Sequence, residues 1–257
     1  MSGWTLVTGA SSGIGAALAR IAAREGQRLI LTARREEALE RLAGAIRDAH
    51  GAEIAVVPAD LGQPDGPDRL WSQATAGGRE VDFLVNNAGL GRWGRFAEDG
   101  WEQEQASIMV NVAATTRLAK LAVAPMAAAG RGRILQIASV AGVLPGPGMA
   151  VYNATKAYVV SFSESLAEEM RGSGVSVTCV CPGITETEFQ ETAGMTHLKA
   201  IERAPKQSAG DVAEHAFRAA MAGRRFAVPG AANKALVLAA RSAPRGVLAR
   251  LIALSMR

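Results

Sequence analysis

The sequence predicts an α/β fold: a doubly wound, central, mostly parallel seven-stranded sheet with helices on both faces and added C-terminal helices. Short apolar runs rich in β-branched residues alternate with longer stretches of helical period. Several runs are almost uninterrupted, as in strands buried on both faces, and the alternation favours right-handed β-α-β crossovers. The predicted strands are Trp4–Thr8, Leu29–Thr32, Ile54–Val57, Phe83–Val85, Ile134–Ala138, Val175–Val180 and Phe226–Val228.

Length and composition predict one domain over residues 1–257, in which about residues 190–257 form a substrate lid and a C-terminal helical extension. The chain has 257 residues, of which 49% are hydrophobic and 20% charged, and this argues against disorder. The net charge of +4 is mild. It favours anionic ligands such as phosphates and does not indicate nucleic acid.

The cysteines and the apolar runs bear on the compartment. Cys179 and Cys181 lie two apart in an apolar run, which predicts buried free thiols rather than a disulfide or a metal site. The first predicted strand starts at Trp4, and no apolar stretch is long enough to span a bilayer. We therefore expect a cytoplasmic protein.

A glycine-rich turn follows the first strand and opens a helix. In it, Gly9 permits a sharp turn, Gly13 lets the backbone approach a diphosphate, and Gly15 lets the helix pack closely. The helix N-terminus offers free N–H groups to phosphates. The alternative is a turn that needs glycine for steric reasons alone. This context favours nucleotide binding, with contacts from Gly9, Ser11, Ser12, Gly13, Ile14 and Gly15.

Two arginines, Arg34 and Arg35, follow the second strand, and no carboxylate occurs there before Glu36. NAD enzymes usually place an acidic residue at this point to bind the ribose hydroxyls, whereas a guanidinium binds a 2′-phosphate. The alternative is a pair of solvated residues at a helix start. Because cations are unfavourable at a helix N-terminus, a ligand role is preferred, and the predicted cofactor is NADP(H).

A phenol and an ammonium, those of Tyr152 and Lys156, lie four residues apart and would share one helix face. Tyrosine normally ionises near pH 10, and a neighbouring cation lowers its pKa. The pair therefore predicts a general acid/base, although the spacing alone is common on surface helices.

Taken together, the motifs resemble the short-chain dehydrogenase/reductase family from residue 4 to about residue 190. Their order and spacing are typical of that family, including the thirteen residues from Ser139 to Tyr152. In chain order the motifs are Thr8-Gly9-x-x-x-Gly13-x-Gly15, Asn86-Asn87-Ala88-Gly89, Asn111, Ser139, Tyr152 with Lys156, and Pro182-Gly183.

The resemblance implies a Rossmann-type domain that transfers hydride between the nicotinamide and a carbon bearing oxygen. Tyr152 would exchange a proton with the substrate oxygen, and Ser139 would hydrogen-bond that oxygen. Lys156 would bind the nicotinamide ribose and lower the pKa of Tyr152. Asn111 would fix a water that links Lys156 to solvent. The family also implies a homodimer or homotetramer.

Further cofactor contacts are implied by the same resemblance. Asp60, followed by Leu61, would contact the adenine, and residues Asn87, Ala88 and Gly89 would line the adenosine side. The nicotinamide would be flanked by Pro182, Gly183, Ile184 and Thr187. Each residue also has a structural alternative: Ser139 as a turn residue, Asn111 as a polar residue with a satisfied amide, and Asp60 as a cap.

The loops after the later strands predict an apolar carbonyl or alcohol as substrate. The segment from Glu186 to Lys206 is predicted to be a mobile lid. The apolar loop residues are Leu90, Trp93, Val140, Val143, Leu144, Met149 and those from Phe189 to Leu198.

After Glu214 the chain has no acidic residue and is basic and amphipathic. This pattern fits a membrane surface or a partner, but helices packed on the domain or on another subunit are favoured. The cations are Arg218, Arg224, Arg225, Lys234, Arg241, Arg245, Arg250 and Arg257.

Two other functions are compatible with the fold. A non-catalytic NADP(H)-binding sensor or scaffold would keep the glycine turn and lose the Tyr-Lys-Ser-Asn set. A lyase or dehalogenase would lose the turn or the lysine. Because both features are intact, an oxidoreductase is preferred.

Overall fold

The computed structural model describes residues 3–98, 100–196, 198, 202 and 205–255. Its centre is a seven-stranded sheet in which every neighbouring pair of strands is parallel. The fold predicted from the alternating pattern is therefore confirmed. The strands of this sheet are β1 (Trp4–Thr8), β2 (Arg28–Thr32), β3 (Ile54–Val56), β4 (Val81–Asn86), β5 (Gly132–Ile137), β6 (Val175–Val180) and β9 (Phe226–Ala227).

Helices connect the strands and cover both faces of the sheet. Helices α4 and α5 form one continuous rod, joined by a π-helical turn over Met109–Ala114. The helices are α1 (Gly13–Arg24), α2 (Glu36–His50), α3 (Gly66–Thr75), α4 (Trp101–Ile108), α5 (Thr115–Ala128), α6 (Ala150–Glu169), α7 (Phe189–Thr192), α8 (Ala209–Met221), α9 (Ala231–Ser242) and α10 (Arg245–Ser255).

Each face of the sheet has its own hydrophobic core. On one face Leu18 of α1 and Leu39 of α2 pack with Phe83 of β4, whose ring lies 6.2 Å from that of Phe217. On the other face Leu70 and Leu118 pack on Leu84. Burial on both faces explains why these strands are almost wholly apolar.

The strand order β3-β2-β1-β4-β5-β6-β9 creates a crevice. The chain runs outward from β1 to β3, then returns to place β4 on the other side of β1. Ligands of doubly wound sheets bind beyond the carboxyl ends of the strands at such a reversal. The turns after β1 and β4 therefore face a common space.

A second, two-stranded sheet was missed by the sequence reasoning. Strand β7 (Thr185–Glu186) pairs in parallel with β8 (Gln207–Ser208). The segment between the two strands therefore begins and ends at this small sheet. Two-residue strands have no detectable hydrophobic period, which explains the omission. Within the predicted lid, residues 197, 199–201 and 203–204 lie outside the described residues.

The C-terminal helices α9 and α10 follow the last strand of the large sheet. Val237 of α9 is buried against Val228 and Val159, and Arg241 contacts Glu164 at 3.3 Å. Of the predicted basic residues, Arg257 lies outside the described residues. Among the residues that are described, no helix has the length and apolar character that crossing a membrane requires.

Candidate active site

A cavity of about 730 Å³ lies at the carboxyl ends of the strands, within the usual size of ligand sites. Ser139, Tyr152 and Lys156 all line it. Every predicted cofactor residue except Gly15 lines it as well, so residues far apart in sequence meet here. These are Gly9, Ser11, Ser12, Gly13, Ile14, Arg34, Arg35, Asp60, Leu61, Asn87, Ala88, Gly89, Pro182, Gly183, Ile184 and Thr187.

The glycine turn has the backbone shape that its sequence predicts. Gly9 has φ of 65° and Gly13 has φ of 55°, values that side-chain-bearing residues rarely adopt. Gly15 has the packing role predicted for it and does not line the cavity, where a cofactor contact was also predicted. A Cβ on Gly15 would lie 2.3 Å from the Gly9 carbonyl oxygen, so this residue sits behind the turn and lets α1 pack against it.

Thr8, at the end of β1, is hydrogen-bonded to the end of β4 and to the turn that follows it. Its hydroxyl donates to the Val85 carbonyl at 3.2 Å and accepts from the backbone N–H groups of Asn87 and Ala88 at 2.9 and 3.0 Å. The Asn87 amide donates back to the carbonyls of Thr8 and Gly9. In the sequence Thr8 is recognisable only as part of a motif, because its hydrogen-bond partners lie 77 to 80 residues away.

Lys156 is buried at the centre of the site, with 5% of its surface exposed. Its ammonium donates to the Ile137 carbonyl at 2.9 Å. Burial penalises the charged form and lowers the pKa of Lys156 to about 8. A Cβ on Gly89 would lie 3.2 Å from Nζ, so glycine there keeps the space beside the ammonium open to the cavity.

Tyr152 lies one turn before Lys156 on α6, and the two side chains meet as predicted. Nζ of Lys156 lies 5.9 Å from the centre of the Tyr152 ring. Removal of the phenol from water raises the pKa of Tyr152 to about 12, although a hydrogen bond with Ser139 acts to lower it. The prediction that Lys156 brings this pKa below its usual value is therefore wrong for the free chain, because burial has the larger effect.

Ser139 lines the cavity and is also the turn residue of its structural alternative, while its contact with a substrate oxygen stays a prediction. Its Oγ accepts a hydrogen bond from the Ala141 N–H at 3.1 Å and so caps the short 3₁₀ helix Val140–Gly142. The same oxygen faces the Tyr152 phenol. Asn153 holds this loop by donating to the carbonyls of Ala141 and Leu144 at 2.9 Å, a contact that no sequence pattern indicates.

Asn111 is buried in the π-helical turn and does not line the cavity. Its Oδ1 accepts from the Leu90 N–H at 2.9 Å, and its Nδ2 donates to the Leu90 carbonyl and to Thr155 Oγ1. Asn111 is thus a positioning residue that ties the loop after β4 to α6 one residue before Lys156. The predicted water link to Lys156 stays a prediction.

The part of the cavity that follows β2 and β3 carries the predicted charged residues. Asp60 accepts from the Gly62 N–H at 2.9 Å, so it caps its turn while facing the cavity. Arg35 donates to Glu188 Oε2 at 2.8 Å and to Ser11 Oγ at 3.3 Å. Arg34 is exposed and makes no ion pair with any described residue, so its guanidinium is available to an anion.

The opposite end of the cavity is apolar, as the loop composition predicts. Tyr152 and Phe189 lie with ring centroids 5.2 Å apart, beside Met149, Met195 and Trp93. A Cβ on Gly91 would strike both the Tyr152 and Phe189 rings at 2.8 Å, so the glycine permits their approach. Val143 lies in the loop after β5 as predicted, but it does not line the cavity and packs against the cluster that contains Val159 and Val228.

The two cysteines behave as predicted. Cys179 and Cys181 are free and fully buried on and just after β6, next to Val160 and Val228. A hydrogen bond with Cys181, together with burial, raises the pKa of the Cys179 thiol, so this group stays protonated and unreactive.

Residues 3–197 match the family model described as short chain dehydrogenase. The chain belongs to the short-chain dehydrogenase/reductase family. It resembles a Sphingobium yanoikuyae short-chain dehydrogenase solved with NADPH, at 33% identity and a TM-score of 0.82 over 93% of both chains. It also resembles a Burkholderia phymatum family member solved with NAD, at 30% identity and a TM-score of 0.81 over 92% of both chains.

A third similar structure is that of a 7β-hydroxysteroid dehydrogenase. It is 28% identical, with a TM-score of 0.87 over 98% of this chain and 96% of that chain. As a member of the family, this short-chain dehydrogenase/reductase is an oxidoreductase that binds a nicotinamide cofactor.

We predict that Glu188→Gln strengthens NADPH binding. In the free chain the Glu188 carboxylate forms an ion pair with the Arg35 guanidinium and competes with a phosphate for it. An exposed ion pair of this kind is worth about 0.2–1 kcal/mol, so the dissociation constant should fall by up to about fivefold. Fluorescence titration with NADPH measures this dissociation constant. Glu191→Gln on the same helix is the matched control, and an equal gain for NADH would contradict the prediction.

Proposed function

We propose that this short-chain dehydrogenase/reductase is NADP(H)-dependent and transfers hydride between the nicotinamide and an apolar carbonyl or secondary alcohol. The observation that carries the proposal is the convergence of Ser139, Tyr152 and Lys156 on the cavity that the glycine turn also lines. A non-catalytic NADP(H) sensor or scaffold would not require a phenol, a hydroxyl and a buried ammonium at one point.

The turn after β1 fits a dinucleotide diphosphate. Gly9 and Gly13 line the cavity with positive φ, so backbone without side chains faces the ligand. No side chain caps the N-terminus of the twelve-residue helix α1, and its first N–H groups are free to bind phosphate oxygens. Gly9, Ser11, Ser12, Gly13 and Ile14 would hold the diphosphate.

The arginines after β2 favour NADP(H) over NAD. Similar structures contain either NADPH or NAD, so membership of the family does not decide between them. Arg34 has no anionic partner among the described residues and lies in the part of the cavity that follows β2 and β3. A guanidinium there binds a 2′-phosphate, and no carboxylate follows the strand to repel one.

The remaining predicted cofactor residues would contact the cofactor from its adenine to its nicotinamide. Asp60 and Leu61 would lie at the adenine, and Asn87, Ala88 and Gly89 along the adenosine side. The nicotinamide would be held by Pro182, Gly183, Ile184 and Thr187. Bound there, the nicotinamide supplies or accepts the hydride.

The protein's own residues move the proton. In reduction, the neutral Tyr152 phenol donates its proton to the carbonyl oxygen while the Ser139 hydroxyl donates a hydrogen bond to the same oxygen. The raised pKa of Tyr152 keeps this phenol protonated in the free chain, which suits the reductive direction. Lys156 binds the ribose, and Asn111 orders the water through which Lys156 exchanges protons with solvent.

Two observations support an apolar substrate. Tyr152, Phe189 and Met195 belong to one apolar cluster and line the cavity, which favours an apolar substrate. A 7β-hydroxysteroid dehydrogenase is among the similar structures. We further propose that the chain acts as one domain within a homodimer or homotetramer in the cytoplasm, where thiols such as Cys179 stay reduced.

We predict that Tyr152→Phe lowers carbonyl-dependent oxidation of NADPH by at least about a hundredfold, because the general acid is lost. A panel of aliphatic, aromatic and steroid ketones, tested with both cofactors, provides the assay. NADPH affinity should stay within a fewfold of the parent. Tyr158→Phe is the control, and full turnover by the Tyr152 variant would overturn the assigned role.

We predict that Arg34→Ala weakens NADPH binding about tenfold or more and leaves NADH binding unchanged, because a charge-assisted hydrogen bond to the 2′-phosphate is lost. The ratio of kcat/KM for the two cofactors reports the preference. Arg41→Ala, on the outer side of α2, is the control. An unchanged ratio in the Arg34 variant would remove the basis for NADP(H).

A further inference from the structure

The C-terminal helices α9 and α10 form a surface with positive charge only. Residues 231–255 contain Lys234, Arg241, Arg245 and Arg250 and no Asp or Glu. Arg241 is engaged, because it pairs with Glu164 and covers the Phe226 ring. Lys234, Arg245 and Arg250 make no ion pair with any described residue and are exposed, so their charges face the surroundings.

Large apolar side chains are exposed among these cations. Leu238 is 69% exposed, Leu251 59% and Leu254 65%. Val247, Leu251 and Leu254 follow one another at steps of four and three residues, which places them in a single stripe along α10. Lys234 and Leu238 share a face of α9 in the same way. Contiguous exposed apolar side chains mark interaction surfaces.

The opposite face of α10 looks inward. Leu248 and Ile252 are half-buried, and Ile252 lines the cavity that holds Tyr152 and Lys156. One short helix therefore contacts the proposed substrate space with one stripe and presents a second apolar stripe to the outside. Whatever binds the outer stripe lies one helix diameter from the cavity.

We propose that α9 and α10 bind an anionic membrane surface and that the substrate is a lipophilic carbonyl or alcohol taken from that membrane. The substrate part rests on the proposed function, whereas the binding part does not. The leucines would enter the boundary of the acyl chains, and Lys234, Arg245 and Arg250 would contact anionic headgroups. Ile252 would then face substrate that enters beside the helix.

Charge and length favour this occupant over the alternatives. Two copies meeting through these helices would bring Arg245 and Arg250 against the same cations, with no carboxylate in residues 231–255 to pair with them. With 11 residues α10 is about 16 Å long, roughly half of the hydrocarbon core of a bilayer. The helix therefore lies on the surface.

The test is co-sedimentation of the purified full-length protein with vesicles, without substrate or cofactor. We expect the protein to bind vesicles that contain phosphatidylglycerol and phosphatidylcholine. Binding should weaken when salt is added and when the vesicles contain phosphatidylcholine alone. Leu251→Ser with Leu254→Ser should weaken binding about tenfold or more. Arg245→Ala with Arg250→Ala should weaken it about 25-fold, at about fivefold per cation.

Control variants change exposed side chains of the same kinds elsewhere on the surface. Arg41→Ala with Arg69→Ala removes two cations from α2 and α3, and Trp101→Ser removes an exposed apolar group from α4. These variants should bind vesicles like the parent. Absence of binding to phosphatidylglycerol vesicles, or equal losses in controls and test variants, would overturn the proposal. So would a leucine variant that loses subunits in light scattering while its vesicle binding is unchanged.

A second arm tests the origin of the substrate. Reduction of a long-chain methyl ketone dissolved in the vesicles should fall in the leucine and arginine variants, while reduction of a short, water-soluble methyl ketone should not. Equal losses for both ketones would contradict supply from the membrane. If neither ketone is reduced but the vesicles are bound, the proposed reaction fails and the binding surface stands.

Discussion

The buried ammonium of Lys156 is the constraint on which the rest of the site depends. Taking a cation out of water costs free energy, and here one backbone carbonyl, that of Ile137, accepts from it. The cost appears as a pKa near 8 instead of the ordinary value of about 10.5. Between those pH values the unfolded chain binds more protons than the folded chain, so this group's contribution to stability rises with pH.

The surroundings of Lys156 are built to hold it in place. Asn111 binds Thr155, its neighbour on α6, and the loop after β4 at the same time. On the other side, a Cβ on Gly142 would strike the Lys156 carbonyl at 2.6 Å, so the loop after β5 approaches the helix closely. The same two loops carry Leu90 and Ser139 into the cavity. Fixing one lysine thus also fixes the loops that surround Tyr152.

The sequence predicted those parts of the structure that depend on local pattern. All seven strands of the large sheet are apolar runs, and Gly9 and Gly13 take the positive φ that their turn requires. The predicted residues that line the cavity were found mainly through motifs, and Gly15, predicted in the same way, packs behind the turn instead. Periodicity and backbone sterics suffice for features of this kind.

Features that arise from distant contacts could not be found in this way. Thr8 and Asn153 look like ordinary polar residues until the fold brings their partners to them. The direction of the Tyr152 pKa was mistaken because spacing reveals the neighbouring cation and not the extent of burial. The exposed stripe on α10 also became visible only when Leu248 and Ile252 were seen to use the inward face.

In the free chain, Tyr152 is a neutral phenol beside the buried ammonium of Lys156. The chain has two tyrosines, so Tyr158→Phe leaves Tyr152 as the one phenol to titrate. Ultraviolet absorbance of tyrosinate, followed against pH while circular dichroism monitors the fold, measures its pKa directly. We expect the Tyr152 phenol to ionise near pH 12 in the folded, cofactor-free protein. Ionisation at or below the ordinary value of about 10 would contradict it.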